Sequence, residues 1–331
     1  MGNARSLWFV GPRSVDVRVE GLPPLEGGQS LIRTAFSGIS AGTEMLAYRG
    51  QLDPDLPLDE TLGTLAGTFR YPFRYGYSCV GVVEESRGEL AEGTVVFAFH
   101  PHQDMFVASA DDVVALGSVA PRDATLFPLV ETALQITLDA GPLLGETVVV
   151  LGLGVVGSLT ACLLQRAGAR VVAVEPQAWR RDAIGGLGVD AVAPESLADA
   201  LGSDGCRAQV PLVVEASGNP DALRTALGLL SHEGTVLVAS WYGTKEVTLP
   251  LGGEFHRRRL TIRSTQVSTI PARLGNRWTA DRRRRAVVDL LDELPLGSLA
   301  THTFPFDQAG EAYAAIDAGT EGLIHAALGY R

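Results

Sequence analysis

The segment 147–175, TVVVLGLGVVGSLTACLLQRAGARVVAVE, decides how the chain is read. Thr147–Leu151 is a short, β-branched apolar run, the pattern of a strand buried on both faces. Gly152-Leu153-Gly154-Val155-Val156-Gly157 then matches G-x-G-x-x-G, and an apolar helical stretch, Ser158–Ala167, follows. A second strand is expected over Arg170–Val174, ending in Glu175. The first glycine and this acid lie 23 positions apart (175 − 152), close to the roughly 20 of a dinucleotide-binding turn. In such a turn the first glycine permits the tight bend, the second lets backbone approach a pyrophosphate, and the third lets the helix pack on the strand. N–H groups at the helix start hold the phosphate anions. The pattern predicts a dinucleotide site made by Gly152, Leu153, Gly154, Val155, Val156 and Gly157, with Glu175 accepting from a ribose diol. A carboxylate there repels the extra phosphate of NADP, so NAD is the expected cofactor. Arg180 and Arg181 stand near enough to reach a 2′-phosphate, which keeps NADP as the lesser alternative.

Toward the C-terminus the alternation continues. Strands are expected at Leu212–Glu215, Thr235–Ala239 and Leu260–Ser264, with a helix over Asp221–Leu230 between the first two. Strand–helix alternation of this kind predicts a parallel sheet covered on both faces. Beyond about residue 270 come helices at Arg282–Leu294 and Asp307–Ala318 and a closing strand at Leu323–Leu328. The four-arginine run Arg282–Arg285 reads as a solvated helix face. Toward the N-terminus the texture differs. Val15–Val19, Ser30–Thr34, Val80–Glu84, Thr94–Phe99 and Met105–Ala108 are short runs separated by Gly-, Pro- and Asp-rich breaks, the signature of a β-rich domain. A helix is expected at Thr43–Arg49, ended by Gly50, and another at Ala124–Ala140.

Composition narrows the function classes. The 331 residues carry 27 basic against 38 acidic side chains, a net charge of −11. An acidic surface disfavours nucleic acid and anionic lipid as partners. No run approaches the ~20 apolar residues that cross a bilayer, and no signal-peptide core is present, so a cytoplasmic location is expected. Cys79, Cys162 and Cys206 form no C-x-x-C pair and read as small buried hydrophobes.

Several longer stretches extend these signals. SGISAGTEMLAYRG (37–50), GYSCVGVVEE (76–85), GTVVFAFHPHQDMFVASADDVVAL (93–116) and VVEASGNPDALRTALGLLSHEGTVLVASWYG (213–243) follow in order. Together with the glycine turn they resemble the medium-chain dehydrogenase/reductase superfamily over nearly the whole chain. The resemblance implies an α/β protein with a GroES-like β-rich catalytic domain at 1–121 and 269–331. Into it is inserted a Rossmann domain, a doubly wound parallel sheet, at 122–268. It further implies an NAD(P)-dependent oxidoreductase acting on a small-molecule substrate, with Ser217 and Trp241 completing the cofactor-binding set. It also implies a homodimer, for which Leu260–Gln266 is the candidate edge strand.

Departures from the family pattern carry the mechanism. Zinc-dependent members have Cys-Gly-Thr-Asp in the first loop, where this chain has Ala41-Gly42-Thr43-Glu44; Ala41 offers no lone pair. Members have a ligating His in Gly-His-Glu, where this chain has Gly76-Tyr77-Ser78, and a neutral phenol is a poor zinc ligand. The third ligand falls near Pro128–Glu131, on Pro128 in the best register and on Glu131 after a small shift. No cysteine stands near Gly93–Phe97, where structural-zinc members carry four. Neither zinc site is expected. Hydrogen-bond donors must then polarise the substrate oxygen. Thr43 matches the family's proton-relaying hydroxyl, Tyr77 occupies a vacated ligand position, and Glu44 replaces a carboxylate that braces the loop. Leu46 stands where the family's relay His falls, so the long relay is broken. His100, His102 and Asp104 form H-x-H-x-D; a metal pair is conceivable on a strand, but the expectation is one His lining the cleft and one at the surface. Trp241 and Tyr242, after a strand end, are candidate walls of a substrate pocket.

Among zinc-less relatives, SGIS-x-GTE and Gly-Tyr-x-x-x-Gly look most like the bacteriochlorophyllide a dehydrogenase branch, which implies secondary alcohol/ketone chemistry with NAD. Two readings compete with it: an NADPH-dependent enoyl or quinone reductase, and a non-catalytic dinucleotide-binding sensor.

Overall fold

A computed structural model describes residues 2–202 and 209–331. Cys206 lies outside the described residues. Two compact units are distinguished: Met1–Pro128 with Val288–Glu293 and Ala300–Arg331, and Leu129–Val287 with Leu294–Leu299.

In the second unit, Thr147–Leu151 is the central strand of a six-stranded sheet. Its partners run, across the sheet, Ala191–Val192, Arg170–Val174, Thr147–Leu151, Val210–Glu215, Leu230–Val238 and Thr261–Ser264. Every pair is parallel. Numbered along this unit the order is 3-2-1-4-5-6, the doubly wound arrangement whose reversal between strands 1 and 4 opens a crevice at their carboxyl ends. Val148, Val149 and Val150 are fully buried. An uninterrupted valine run suits a strand covered on both faces. Thr261–Ser264 forms one edge of this sheet.

The first unit is antiparallel for the most part. Ser14–Gly21, Asn3–Gly11 and Phe73–Arg74 form a three-stranded sheet. The second sheet is built on the eleven-residue strand Gln29–Ile39, which pairs along one side with Cys79–Ser86. On its other side Gln29–Arg33 pairs with Met105–Ser109, and Phe36–Ile39 with Ala326–Gly329. The C-terminal segment thus returns to the sheet begun near the N-terminus. The helix Thr43–Arg49 ends at Gly50, whose φ of 69° is the left-handed conformation that a C-terminal glycine supplies. Aromatic side chains fill the core beneath it: Phe9 stacks on Phe73 (5.2 Å between centroids) and meets Tyr313 edge-on (5.4 Å). Cys79 and Cys162 are buried free thiols. Burial pushes the Cys79 thiol up to about 12, so it is unreactive.

Two expectations need correction. Arg283 is not on a solvated face: it is 4% exposed. Its Nε donates to Glu131 (3.0 Å) and its Nη1 to Gln135 (2.6 Å), both buried. Arg283, Val287 and Leu291 recur every four residues, so the guanidinium falls on the buried stripe of the helix Ala280–Glu293. Nor does either histidine of H-x-H-x-D lie at the surface. His102 is fully buried, and His100 is partly buried, stacked on Phe106 at 4.1 Å. Both precede the Met105–Ser109 strand, so the shared-face argument for a metal pair does not apply.

Candidate active site

The glycine turn lies at the carboxyl end of the central parallel strand. Its three glycines answer different demands. Gly152 has φ of 92°, and a Cβ there would come within 2.6 Å of the Ser217 backbone. At Gly157 a Cβ would stand 1.9 Å from the Gly152 carbonyl oxygen, so only glycine lets the helix Val155–Arg166 approach the strand. Gly154 is different. Its φ of −66° and ψ of −176° suit any residue, and a Cβ would meet nothing nearer than Arg180 Nη1 at 3.8 Å. The protein's own packing therefore leaves this position open. An open backbone cradle at an N-terminus without a side-chain cap fits a pyrophosphate.

Glu175 is buried at the end of the adjoining strand. Its carboxylate accepts from the backbone N–H of Leu153 (2.9 Å) and of Gln177 (3.1 Å), tying it to the glycine turn. Arg181 donates to the carbonyls of Glu175 and Pro176 (2.7 and 2.8 Å), so its guanidinium is committed to the loop. Arg180 instead lies over Trp179 (4.8 Å) with one nitrogen beside Gly154. Sequence reasoning passed over Glu215. This fully buried carboxylate accepts from Ser217 N–H (2.7 Å), Ser217 O–H (2.6 Å), Gly218 N–H (3.1 Å) and the Tyr242 phenol (2.7 Å). It fixes the loop that carries Ser217 against Gly152. Burial and Glu215 hold the Tyr242 phenol well above its ordinary range, so its hydroxyl braces the loop. Trp241 beside it is 44% exposed. An acid at a strand end before Ser-Gly, as at Glu175 before its turn, was the available signal.

In the first unit, Thr43 opens the helix Thr43–Arg49 and Tyr77 follows Gly76, whose φ is 105°. The structure brings the two together: the Ser40 and Thr43 side chains lie close enough to the Tyr77 phenol to pull its pKa down. Burial, and next the Glu44 charge, raise that phenol to about 12, while the two hydroxyls lower it. Tyr77 is thus a protonated donor at neutral pH. Glu44 does more than brace the loop. It is wholly buried and accepts from Ser40 N–H (2.8 Å), from His102 Nε2 (2.9 Å) and from the Tyr313 phenol. His102 Nδ1 meets the Ser37 hydroxyl (2.7 Å), which meets Tyr330 (2.9 Å). Tyr313 and Tyr330 belong to the returning C-terminal segment and carry no motif, so sequence reading missed them. Leu46, at the relay position, is an apolar core residue.

The donors at the metal positions do not fit a catalytic zinc. Ala41 has no ligating atom, the Tyr77 phenol is held protonated, and the alternative ligand Glu131 is bound by Arg283. Burial, opposed by Arg283, raises the Glu131 carboxyl above its usual range. His102 has both ring nitrogens engaged, His100 Nδ1 lies 2.9 Å from its neighbour's carbonyl, and Asp104 pairs with Arg5. Among the described residues no group of three or more His, Cys, Asp or Glu side chains is placed to hold a metal.

A parallel 3-2-1-4-5-6 sheet with this turn at its switch point defines a dinucleotide-binding Rossmann unit, here joined to a GroES-like β unit. A family profile described as zinc-binding dehydrogenase matches residues 155–281. D-guloside 3-dehydrogenase of Escherichia coli (strain K12) is 26% identical over 78% of this chain and 80% of its own length. The 2-desacetyl-2-hydroxyethyl bacteriochlorophyllide A dehydrogenase of Cereibacter sphaeroides is 25% identical over 92% of this chain and 91% of its own. Among solved structures, an alcohol dehydrogenase (rspB) from Escherichia coli CFT073, complexed with NADH, superposes with a TM-score of 0.78 at 17% identity, covering 99% of both chains. The chain is similar over most of its length to zinc-type, alcohol-dehydrogenase-like members of the medium-chain dehydrogenase/reductase superfamily, and is an NAD(P)-dependent oxidoreductase. Among the described residues no helix is long and apolar enough to cross a membrane.

Proposed function

We propose that this chain transfers hydride between NAD(H) and a secondary alcohol or ketone without zinc. The observation that carries the proposal is the Tyr77 phenol set beside Ser40 and Thr43, at a position where zinc-dependent relatives present a ligand. A phenol raised to about 12 stays protonated and donates to a substrate oxygen through the working pH range. Such a donor stabilises the developing alkoxide or carbonyl oxygen, the task otherwise given to a Lewis acid. In oxidation Thr43, itself partly exposed, passes the substrate hydroxyl proton to solvent water, since Leu46 breaks the longer relay. The bound nicotinamide supplies the hydride acceptor or donor. Gly152, Gly154 and Gly157 admit its pyrophosphate, and Glu175 accepts from the adenosine ribose diol.

Glu175, tied to Leu153, favours NAD, since a 2′-phosphate would face a buried carboxylate. One observation supports the NADP alternative: Arg180, unlike Arg181, is not spent on backbone carbonyls and lies beside the turn. The relatives' names extend the substrate search to glycosides and hydroxyethyl-bearing rings. We also propose a homodimer paired through the edge strand Thr261–Ser264, and a cytoplasmic location. The test is fluorescence titration with NADH and NADPH, followed by turnover of a panel of secondary alcohols and ketones. Tighter NADH binding with oxidation of a secondary alcohol supports the reading; tighter NADPH binding with enone reduction overturns it.

A further inference from the structure

Glu44 and His102 form a carboxylate–imidazole pair with no exposed surface, set in an aromatic core. A buried charge is costly unless fully hydrogen-bonded, and here it is. With a neutral imidazole every group has its complement. Tyr330 donates to Ser37, Ser37 to His102 Nδ1, and His102 Nε2–H to Glu44, which also receives Ser40 N–H and the Tyr313 phenol. The pair touches both segments that carry the proposed donors. Glu44 follows Thr43 directly and binds the Ser40 backbone. The His102 ring lies against Gly76, so closely that a Cβ there would fall 2.5 Å from it, and Gly76 leads directly into Tyr77. The His102 backbone N–H also bonds the Tyr75 carbonyl (3.3 Å).

We infer that the buried Glu44–His102 pair is a positioning device that clamps segment 40–44 to segment 75–77 and so holds the Tyr77 phenol beside Ser40 and Thr43. Glu44 and His102 are positioning residues, because they act through Tyr77. The inference rests on the proposed role of Tyr77, but its geometric content can be tested without turnover.

The test uses the full chain with 3-fluorotyrosine, whose more acidic phenol titrates at lower pH. The Tyr77 fluorine resonance is assigned with Tyr77→Phe. The charged or titratable groups that face Tyr77 are Glu44 on its helix, Asp59 on the following loop, Tyr75 on its own segment and Tyr313 on the C-terminal helix. Glu44→Gln is expected to lower the Tyr77 midpoint, since it deletes the nearest negative charge, and His102→Asn to broaden or split the resonance. Where His102→Asn fails to fold, Ser37→Ala, which leaves the pair itself in place, is read instead and is expected to broaden the resonance less. An unchanged Tyr77 resonance and midpoint in these variants overturns the inference. In turnover, His102→Asn is expected to lower kcat by on the order of 100-fold, the scale of a small misplacement of a reacting group, while NADH affinity stays unchanged. In the Tyr77→Phe background the same change is expected to cost nothing further; an additive loss marks a role other than positioning Tyr77. If the wild-type chain shows no zinc-free turnover but the resonance responds as described, the proposed function fails and the clamp stands.

Discussion

Replacing Gly154 by alanine separates cofactor binding from folding. The backbone at this position is extended, and the new methyl group would find its nearest neighbour, Arg180 Nη1, at 3.8 Å. The folded state therefore admits alanine, and the unfolded chain loses freedom. Stability should rise by about 0.4–1 kcal/mol, a melting shift of roughly 1 to 4 °C for a unit of this size. Gly157→Ala is the control, because its methyl group would stand 1.9 Å from the Gly152 carbonyl oxygen. Backbone cannot yield there cheaply, and a loss of about 3 kcal/mol or more is expected. NADH should report the opposite ranking of causes. In Gly154→Ala the methyl group fills the cradle, so affinity should fall at least about ten-fold, roughly 1.4 kcal/mol, in a chain that folds normally. Thermal melting and NADH fluorescence titration on the same samples read both quantities. Wild-type NADH affinity in Gly154→Ala would refute the pyrophosphate cradle, and a destabilised Gly154→Ala would refute the open position.

Further outcomes are expected elsewhere. Tyr77→Phe should lower kcat about 100-fold or more and Thr43→Ala by a similar order, as for loss of a proton donor or relay, with NADH binding unchanged by fluorescence. Arg283→Met leaves Glu131 buried without its partner and should cost about 3–5 kcal/mol, read as a chemical-denaturation midpoint; adding Glu131→Leu should recover much of it. His325 is buried and neutral: burial, then Arg122, pulls its pKa from 6.5 down to about 4. The unfolded chain thus binds more protons between those values, so stability is fully present above pH 6.5 and falls as pH drops toward 4. At 3% exposure the loss amounts to up to about 3 kcal/mol. Urea midpoints across that window check it, and His325→Gln should flatten the slope.

The parts of the fold that were legible in the sequence are those with local causes. Thr147–Leu151 and Arg170–Val174 are strands with the bounds read from their apolar runs, and Thr43–Arg49 stops at its glycine. The glycine turn was legible because its G-x-G-x-x-G spacing is local, although the atoms that crowd Gly152 belong to Ser217 and Gly154 is crowded by nothing in the protein itself. The Glu44 network was not. Its members come from residues 37, 44, 102, 313 and 330, joined by long-range pairings such as the register of Gln29–Ile39 with Ala326–Gly329 and the Leu7 N–H reaching the His102 carbonyl. H-x-H-x-D was seen but misread, since exposure of a histidine depends on what lies opposite it. Arg283 was misread because four adjacent charges hid the four-residue spacing that buries one of them. Tyr77 was found through a departure from a family pattern, but its neighbour Ser40 became visible only in three dimensions.

The most direct measurement is the zinc content of the purified chain together with its NAD-dependent oxidation of a secondary alcohol on the same sample, before and after chelation. Far less than one zinc per chain is expected, with a rate that chelation leaves unchanged. One zinc per chain, with turnover lost on its removal and restored on its return, would contradict it.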